Sequence, residues 1–357
     1  MKKLLVVIFA WSFALCSCNN EQRTNDTEPG LAQIVPKDEF AKLRTFMEKF
    51  DEPSQTFKAP SDQLIKVKGK QGTIIHLNPA DLETEDGQPI GKEVVIELKE
   101  LSNRQQLVRA NAQTVSDGQL LVSGGACYIG VTSGGQKVKL KDGKDYSISF
   151  PKLSVGEMTL YYGQRDSIDK MNWIEAPQKF VIQKYGGDSL NTYEALVITG
   201  KDTLRKTTKV NISEKEYREL LEQSKLNEKV YCPVALKQFG WINCDRSYDK
   251  SKPITNIHFD VSNKVEEVNF MRVTLIFNAA RSIMQSSYYT YDNKIEGNTF
   301  NNIPVGESVR FLAVSYQHEK IFATLTENIS VKEDHQQQLT LKELSENEFD
   351  MLIKGVE

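Results

Sequence analysis

Cys127, Cys232, Cys244, four histidines and the indoles of Trp173 and Trp241 are the side chains here whose chemistry could reach beyond packing. Zinc sites need thiolates and imidazoles at short, repeated spacings, and His76, His258, His318 and His335 are scattered along the chain, none at ligand spacing from another or from a cysteine pair. No metal and no cofactor is expected. Cys232 and Cys244 flank a short loop and would close it as a disulfide in an oxidising compartment if their Cα atoms lie within about 7 Å. Cys127 stands in Ala126-Cys127-Tyr128-Ile129, where alternation puts it on the buried face of a strand, so an inert core thiol is expected. Trp173 and Trp241 could stack on sugar rings, since an indole is a flat apolar platform with one polar edge; the alternative is that they plug a β-core. Asp245-Arg246 could hold a ligand hydroxyl or carboxylate, or could simply fix its own segment as an ion pair or turn.

The amino terminus carries a different chemistry. Lys2 and Lys3 lead into an apolar run from Leu4 to Leu15 broken only by Ser12, followed by polar residues from Asn19. A charged start and a short apolar stretch make a secretory signal, too short to span a membrane and without the polar face of a core helix. Residues 1–17 are therefore expected to be removed on export. The ending Leu15-Cys16-Ser17-Cys18 resembles the lipobox of bacterial lipoproteins, in which a cysteine is lipidated and becomes the first residue of the mature chain. Cys18 fits that role; Cys16 fits it worse, because bulky Leu15 would occupy the position that takes a small side chain. One acyl chain holds a protein weakly, at about 0.8 kcal/mol per buried CH₂, so stable anchoring implies the several chains such lipoproteins carry. The membrane is then the first expected partner, reached through a lipid anchor.

Gly187-Asp188-Ser189-Leu190 matches the nucleophile block of GDSL esterases, in which the serine attacks an ester and a distant Asp-x-x-His supplies the base. That family places the block near the start of its domain and adds a Gly-x-Asn-Asp block for the oxyanion. Here it lies mid-chain, and neither companion block follows. A hairpin turn at residues 186–189 accounts for it better, with Leu190 to Ile198 as the returning strand. No catalytic residues are assigned. Asp166-Ser167-Ile168, Asp188-Ser189-Leu190 and Asp202-Thr203-Leu204 also resemble the O-glycosylation acceptor of Bacteroidota envelope proteins, which makes Ser167, Ser189 and Thr203 candidate acceptors; the competing reading is an Asx-type turn.

These residues must be held by something, and the chain reads as mainly β. A net charge of −3 from 45 basic and 48 acidic residues gives no polyanion-binding surface, so nucleic acid is not an expected partner. The length exceeds what one core organises. Residues 18–54 read as a lipidated, polar tether followed by a short helix, capped by Asp38 and striped by Phe40, Leu43, Met47 and Phe50, expected to dock on the first domain. Residues 55–153 read as an antiparallel β-sandwich-like domain punctuated by Asp86-Gly87, Asp117-Gly118, Gly134-Gly135 and Asp142-Gly143, which supply the positive φ of tight hairpins. Residues 154–250 read as a mixed α/β connector with a capping box at Ser213 and Glu216, and residues 251–357 as a second β-domain ending in a helix boxed by Ser345 and Glu348.

The run Gly118 to Pro151, with Ser123-Gly124-Gly125 and Thr132-Ser133-Gly134-Gly135, and the run Phe239 to Arg246 resemble a group of uncharacterised lipoproteins of the Bacteroidota cell envelope, over about residues 65–350. The resemblance implies β-sandwich-rich envelope proteins and transfers no catalytic residue. It also implies outer-membrane sorting, helped by Asn19, on either face. The expected work is to bind or organise another envelope component; the alternatives are a surface glycan-binding lipoprotein and an envelope hydrolase.

Overall fold

The structure is a computed structural model; it describes residues 37–151, 153, 158–177, 181–183, 193–199, 202–208, 234–249, 251–261, 269–291 and 294–357, with backbone alone for 37, 181–183, 193–199, 202–208, 234, 291 and 294. The chain is mainly β, built from sandwich-like bodies with short helices.

In the first body, the leading sheet runs in the order Gln55–Pro60, Glu93–Leu101, Gln119–Ser133, Gly240–Ser247, Thr159–Arg165, Met171–Glu175. Facing it is a four-stranded sheet of Val234–Leu236, Tyr146–Ser149, Ile74–Leu77 and Ile65–Lys68. Alternation drives the pairing: Val94, Ile96 and Leu98 turn inward from Glu93–Leu101 and meet Ile65, Val67, Ile75 and Ile148 of the opposite sheet in one core. Each such side chain, taken fully out of water, stabilises the fold by about 1.5–3 kcal/mol. Of the stretch 154–250 read as a connector, the described residues 159–175 and 234–247 belong to this body. They complete both of its sheets, which the turn pattern had closed at residue 153.

The second body sets a seven-stranded sheet, whose main path is Lys294–Glu296, Ser282–Tyr291, Phe270–Phe277, Ser308–Gln317, Lys320–Leu325, Lys342–Leu344, against a three-stranded sheet of Thr299–Pro304, Ile254–Val261 and His335–Leu339. The last two strands pair in parallel, a departure from the antiparallel rule followed by the other described pairings. Phe270–Phe277 is buried at all eight positions, because both its faces are covered. Met271, Val273, Leu275 and Phe277 face the three-stranded sheet, whereas Phe270 and Ile276 face the helices and the first body.

The helix Lys37–Glu48 buries Phe40, Leu43, Phe46 and Met47. It packs on the second body rather than the first: Phe46 stacks on Tyr316 at 4.3 Å and Phe40 meets Phe270 edge-on at 4.5 Å. The aromatic stripe selects the aromatic surface. Asp38 lies inside the first turn rather than capping it. The terminal helix Glu346–Lys354 has the reciprocal Ser345–Glu348 capping box and buries Phe349 and Ile353 as the sequence predicts. The Ser213 box and residues 19–36 lie outside the described residues.

The strand Gln119–Ser133 serves every core. Leu121 and Ala126 enter the cluster between the bodies, Leu120 and Val122 that of the second body, and Cys127, Ile129 and Val131 that of the first. Backbone bonds from Thr114 N to Ile283 O (2.9 Å) and Ser123 N to Ala280 O (3.3 Å) fasten the bodies to one another.

Candidate functional site

Where the end of Gln119–Ser133 meets the second body, a cleft of about 300 Å³ is lined by Gln119, Leu120, Tyr248, Asp249, Lys252, Ile254, Asn302 and Pro304. Two of the lining side chains, Tyr248 and Lys252, are held by a polar network behind the cleft. Glu307 is 5% exposed and accepts from Lys252 Nζ at 2.6 Å and from the Tyr248 hydroxyl, while Lys252 Nζ also donates to the Tyr248 oxygen at 3.2 Å. Charge-assisted bonds of this kind are the strong ones and satisfy a carboxylate that burial would otherwise penalise. The hydrogen bond to Glu307 raises the Lys252 ammonium above its usual range, so Lys252 is a fixed cation. Burial raises the Tyr248 hydroxyl, with Glu307 adding to it.

Local folding explains the lining. Asp249 accepts from Ser251 N at 2.9 Å, which turns the chain so that Lys252 comes back over the Tyr248 ring at 5.6 Å; the same bond lowers the Asp249 carboxyl. Asn302, at φ 58°, sits where the pairing of Ile254–Val261 with Thr299–Pro304 slips. A bulge inserts one unpaired residue and re-aims its side chain, and here it carries Asn302 to the cleft. Ile254 is 60% exposed at the rim. The site joins an apolar ledge to a cation, an anion and an amide.

The residues singled out from sequence do not gather there. Trp173 is fully buried and its indole N–H donates to Gln113 O at 2.5 Å, so it is a core plug and not a sugar platform. Trp241 is half-buried, with the Arg165 guanidinium 5.1 Å from its ring centroid and Tyr128 tilted against it at 5.3 Å; the cation occupies a face that a sugar would need. Cys127 and Cys244 are both free and fully buried, and burial pushes both thiols up. Cys232, the partner expected for Cys244 in a disulfide, lies outside the described residues.

Asp245 is buried and accepts from Gly124 N at 3.1 Å and Asn243 Nδ2 at 2.6 Å, bracing the irregular register between its strand and Gln119–Ser133. Burial pushes its carboxyl up to about 7, against those hydrogen bonds. It holds the fold, and no ligand is needed to explain it. Ser167 is exposed on a turn in which Asp166 accepts from Ile168 N at 3.0 Å and Lys170 N at 2.9 Å, the Asx-type turn weighed against glycosylation. Thr203 lies in the strand Asp202–Thr208, paired with Ile198, rather than on a loop. Ser189 lies outside the described residues, between Val181–Gln183 and Tyr193–Thr199, which pair antiparallel. Cys18 also lies outside them. Among the described residues, no group of His, Cys, Asp and Glu could hold a metal ion, and no helix is long and apolar enough to cross a membrane.

Sequence reasoning missed Tyr248, Lys252 and Glu307 because they are brought together from 55 and 59 residues apart by the pairing of sheets, with no local spacing to betray them. It also missed Glu100. That buried carboxylate accepts from Gln71 N and Thr73 N, both at 2.9 Å, and a Cβ at Gly69 would stand 2.5 Å from it, so the Gly69 to Thr73 turn is folded around a charge. No family model matches the chain, and no curated protein matches it.

Proposed function

We propose that this protein is a lipid-anchored cell-envelope module, held by Cys18, whose work is to bind another envelope component at the cleft between its two β-bodies. The cleft carries the reading: it joins the exposed Ile254 ledge to the fixed Lys252 cation, with Asp249 and Asn302 alongside. Such a surface suits a short peptide segment that presents an apolar side chain next to an acidic group. The glycan-binding alternative loses its platform, since Trp173 is buried and Trp241 faces Arg165.

The test is a photo-crosslinking side chain placed at Ile254 in intact cells, with the same label at Leu64, an exposed position of the first body, as control. The expected product is a single envelope component captured from position 254, absent from position 64, and lost when Lys252→Ala is added. Identical products from both positions would overturn the cleft. An unmodified N-terminus by intact mass, with the protein free in the medium, would overturn the anchor.

A further inference from the structure

The outermost strand of the four-stranded sheet, Ile65–Lys68, alternates without a break: Ile65 and Val67 are buried in the first core, while Lys66 and Lys68 are exposed on the outer face. Leu64, just before the strand, continues the exposed half of that rhythm and is 69% exposed, the most of any large apolar side chain described. In register, Lys66 lies opposite His76 and Lys68 opposite Ile74, and the next strand adds Ser147 and Ser149. Neither row contains an acid.

The turn that follows is firmly built. Gln71 N and Thr73 N donate to the buried Glu100 carboxylate at 2.9 Å, and Lys70 N donates to Gln55 Oε1 at 2.9 Å, which sets exposed Lys70 beyond the end of the strand. On the other side, Ser61 N donates to Lys92 O at 2.9 Å and brings exposed Lys92 to the turn that leads to Leu64. Among the described residues, Lys66, Lys68, Lys70 and Lys92 form no ion pair, whereas neighbouring Lys58 pairs with Glu93 at 3.8 Å. Asp62 is the one acid carried by residues 61–72. The balance of charge over the whole chain is not kept at this corner.

We propose that this face, Leu64 with Lys66, Lys68 and Lys70, docks on the surface of a bilayer rich in anionic phospholipid. Lysines near such a surface are drawn to its negative potential, and an exposed leucine among them enters the boundary between headgroups and acyl chains. Leu64 decides among anionic partners. A nucleic acid or an acidic glycan would use the lysines and leave the leucine in water; a bilayer uses both. Lysines on an edge strand also deter a second strand from adding there, but that role gives Leu64 nothing to do. The patch stands on its own residues and does not rest on the anchor proposed at Cys18; with that anchor, the two attachments together would fix which side of the first body faces the membrane.

The test is co-sedimentation of the full chain carrying Cys18→Ser, so that no acyl chain contributes, with vesicles of phosphatidylcholine alone and of phosphatidylcholine and phosphatidylglycerol in equal parts. Residues 1–36 are common to every variant, so differences between variants read the patch. Binding is expected on the anionic vesicles, to fall with added salt, and to weaken about fivefold for each of Lys66→Gln, Lys68→Gln and Lys70→Gln. Leu64→Ser is expected to weaken it several-fold at constant charge, whereas Lys332→Gln, an exposed position of the second body, should leave it unchanged. Equal binding to the two kinds of vesicle, or no loss in the lysine variants, would overturn the docking face. Full binding by Leu64→Ser, with equal capture of the chain by dextran sulfate, would overturn the bilayer and assign the lysines to a soluble polyanion. An unmodified Cys18 in cells would overturn the anchor and leave the vesicle result standing.

Discussion

Gly163 lies directly opposite Trp173 in the antiparallel pairing of Thr159–Arg165 with Met171–Glu175, and the space above the glycine belongs to the indole. A Cβ at Gly163 would stand 2.7 Å from Trp173 Cζ3, 2.7 Å from Trp241 Cβ and 2.8 Å from Met171 Sδ. Gly163→Ala should therefore act as overpacking and cost about 1–3 kcal/mol. The urea midpoint measures it. An unchanged midpoint would mean that the tryptophan shifts without penalty.

Trp173 and Trp241 should separate cleanly under substitution. Trp173→Ala removes a fully buried ring and leaves Gln113 O without its donor, a loss of about 3–5 kcal/mol. Trp241→Ala removes a half-buried ring and its contact with Arg165, for about 1–2 kcal/mol. Chemical denaturation of the two variants orders them, and equal losses would contradict the difference in burial.

Asp245 should make stability fall as pH rises. Its carboxyl is pushed from the ordinary 3.8 up to about 7, mainly by burial, so the native state holds a proton that the unfolded chain has already lost across that interval. The contribution is whole below the lower value and disappears as pH passes the upper one. At about 1.4 kcal/mol per unit it amounts to no more than about 4 kcal/mol. Asp245→Asn should flatten the difference between unfolding midpoints at pH 5 and pH 8; a slope equal to that of the unaltered protein would assign it elsewhere.

Glu307→Gln should loosen the cleft. The substitution keeps the shape and removes the charge that Lys252 and Tyr248 both address, at a cost of about 1–3 kcal/mol. The Lys252 ammonium should return toward its usual range, since the bond to Glu307 is what raises it. Chemical-shift titration of labelled lysine reads this directly.

Cys127 and Cys244 should resist thiol reagents in the native protein. Both are buried, and both thiols are held away from the reactive thiolate by the same desolvation. In a Cys232→Ser chain, labelling mapped to these two positions should appear only on unfolding. Rapid native labelling would show that the first core opens.

The class of fold was readable because β-structure writes itself locally. Val94, Ile96 and Leu98 recur at every second position, and the helix boxed by Ser345 and Glu348 carries its own start signal. What did not read was which distant strands meet. Nothing near Gly240–Ser247 announces that it will sit between Gln119–Ser133 and Thr159–Arg165, because that choice is made by packing across a hundred residues. The same blindness hid the cleft. Trp173 and Trp241 looked alike as residue types, and only the pairing with Gly163 distinguishes the plug from the half-covered ring.

The late arrival of Gly240–Ser247 also sets an order of events. A nascent chain that stops short of residue 240 exposes two open strand edges, one on Gln119–Ser133 and one on Thr159–Arg165, with nothing to zip them together. Closing that gap requires loops of about a hundred residues, an arrangement that folds slowly. The protein is therefore born in an unfinished and adhesive form, and two-thirds of it must emerge before its first half can shut.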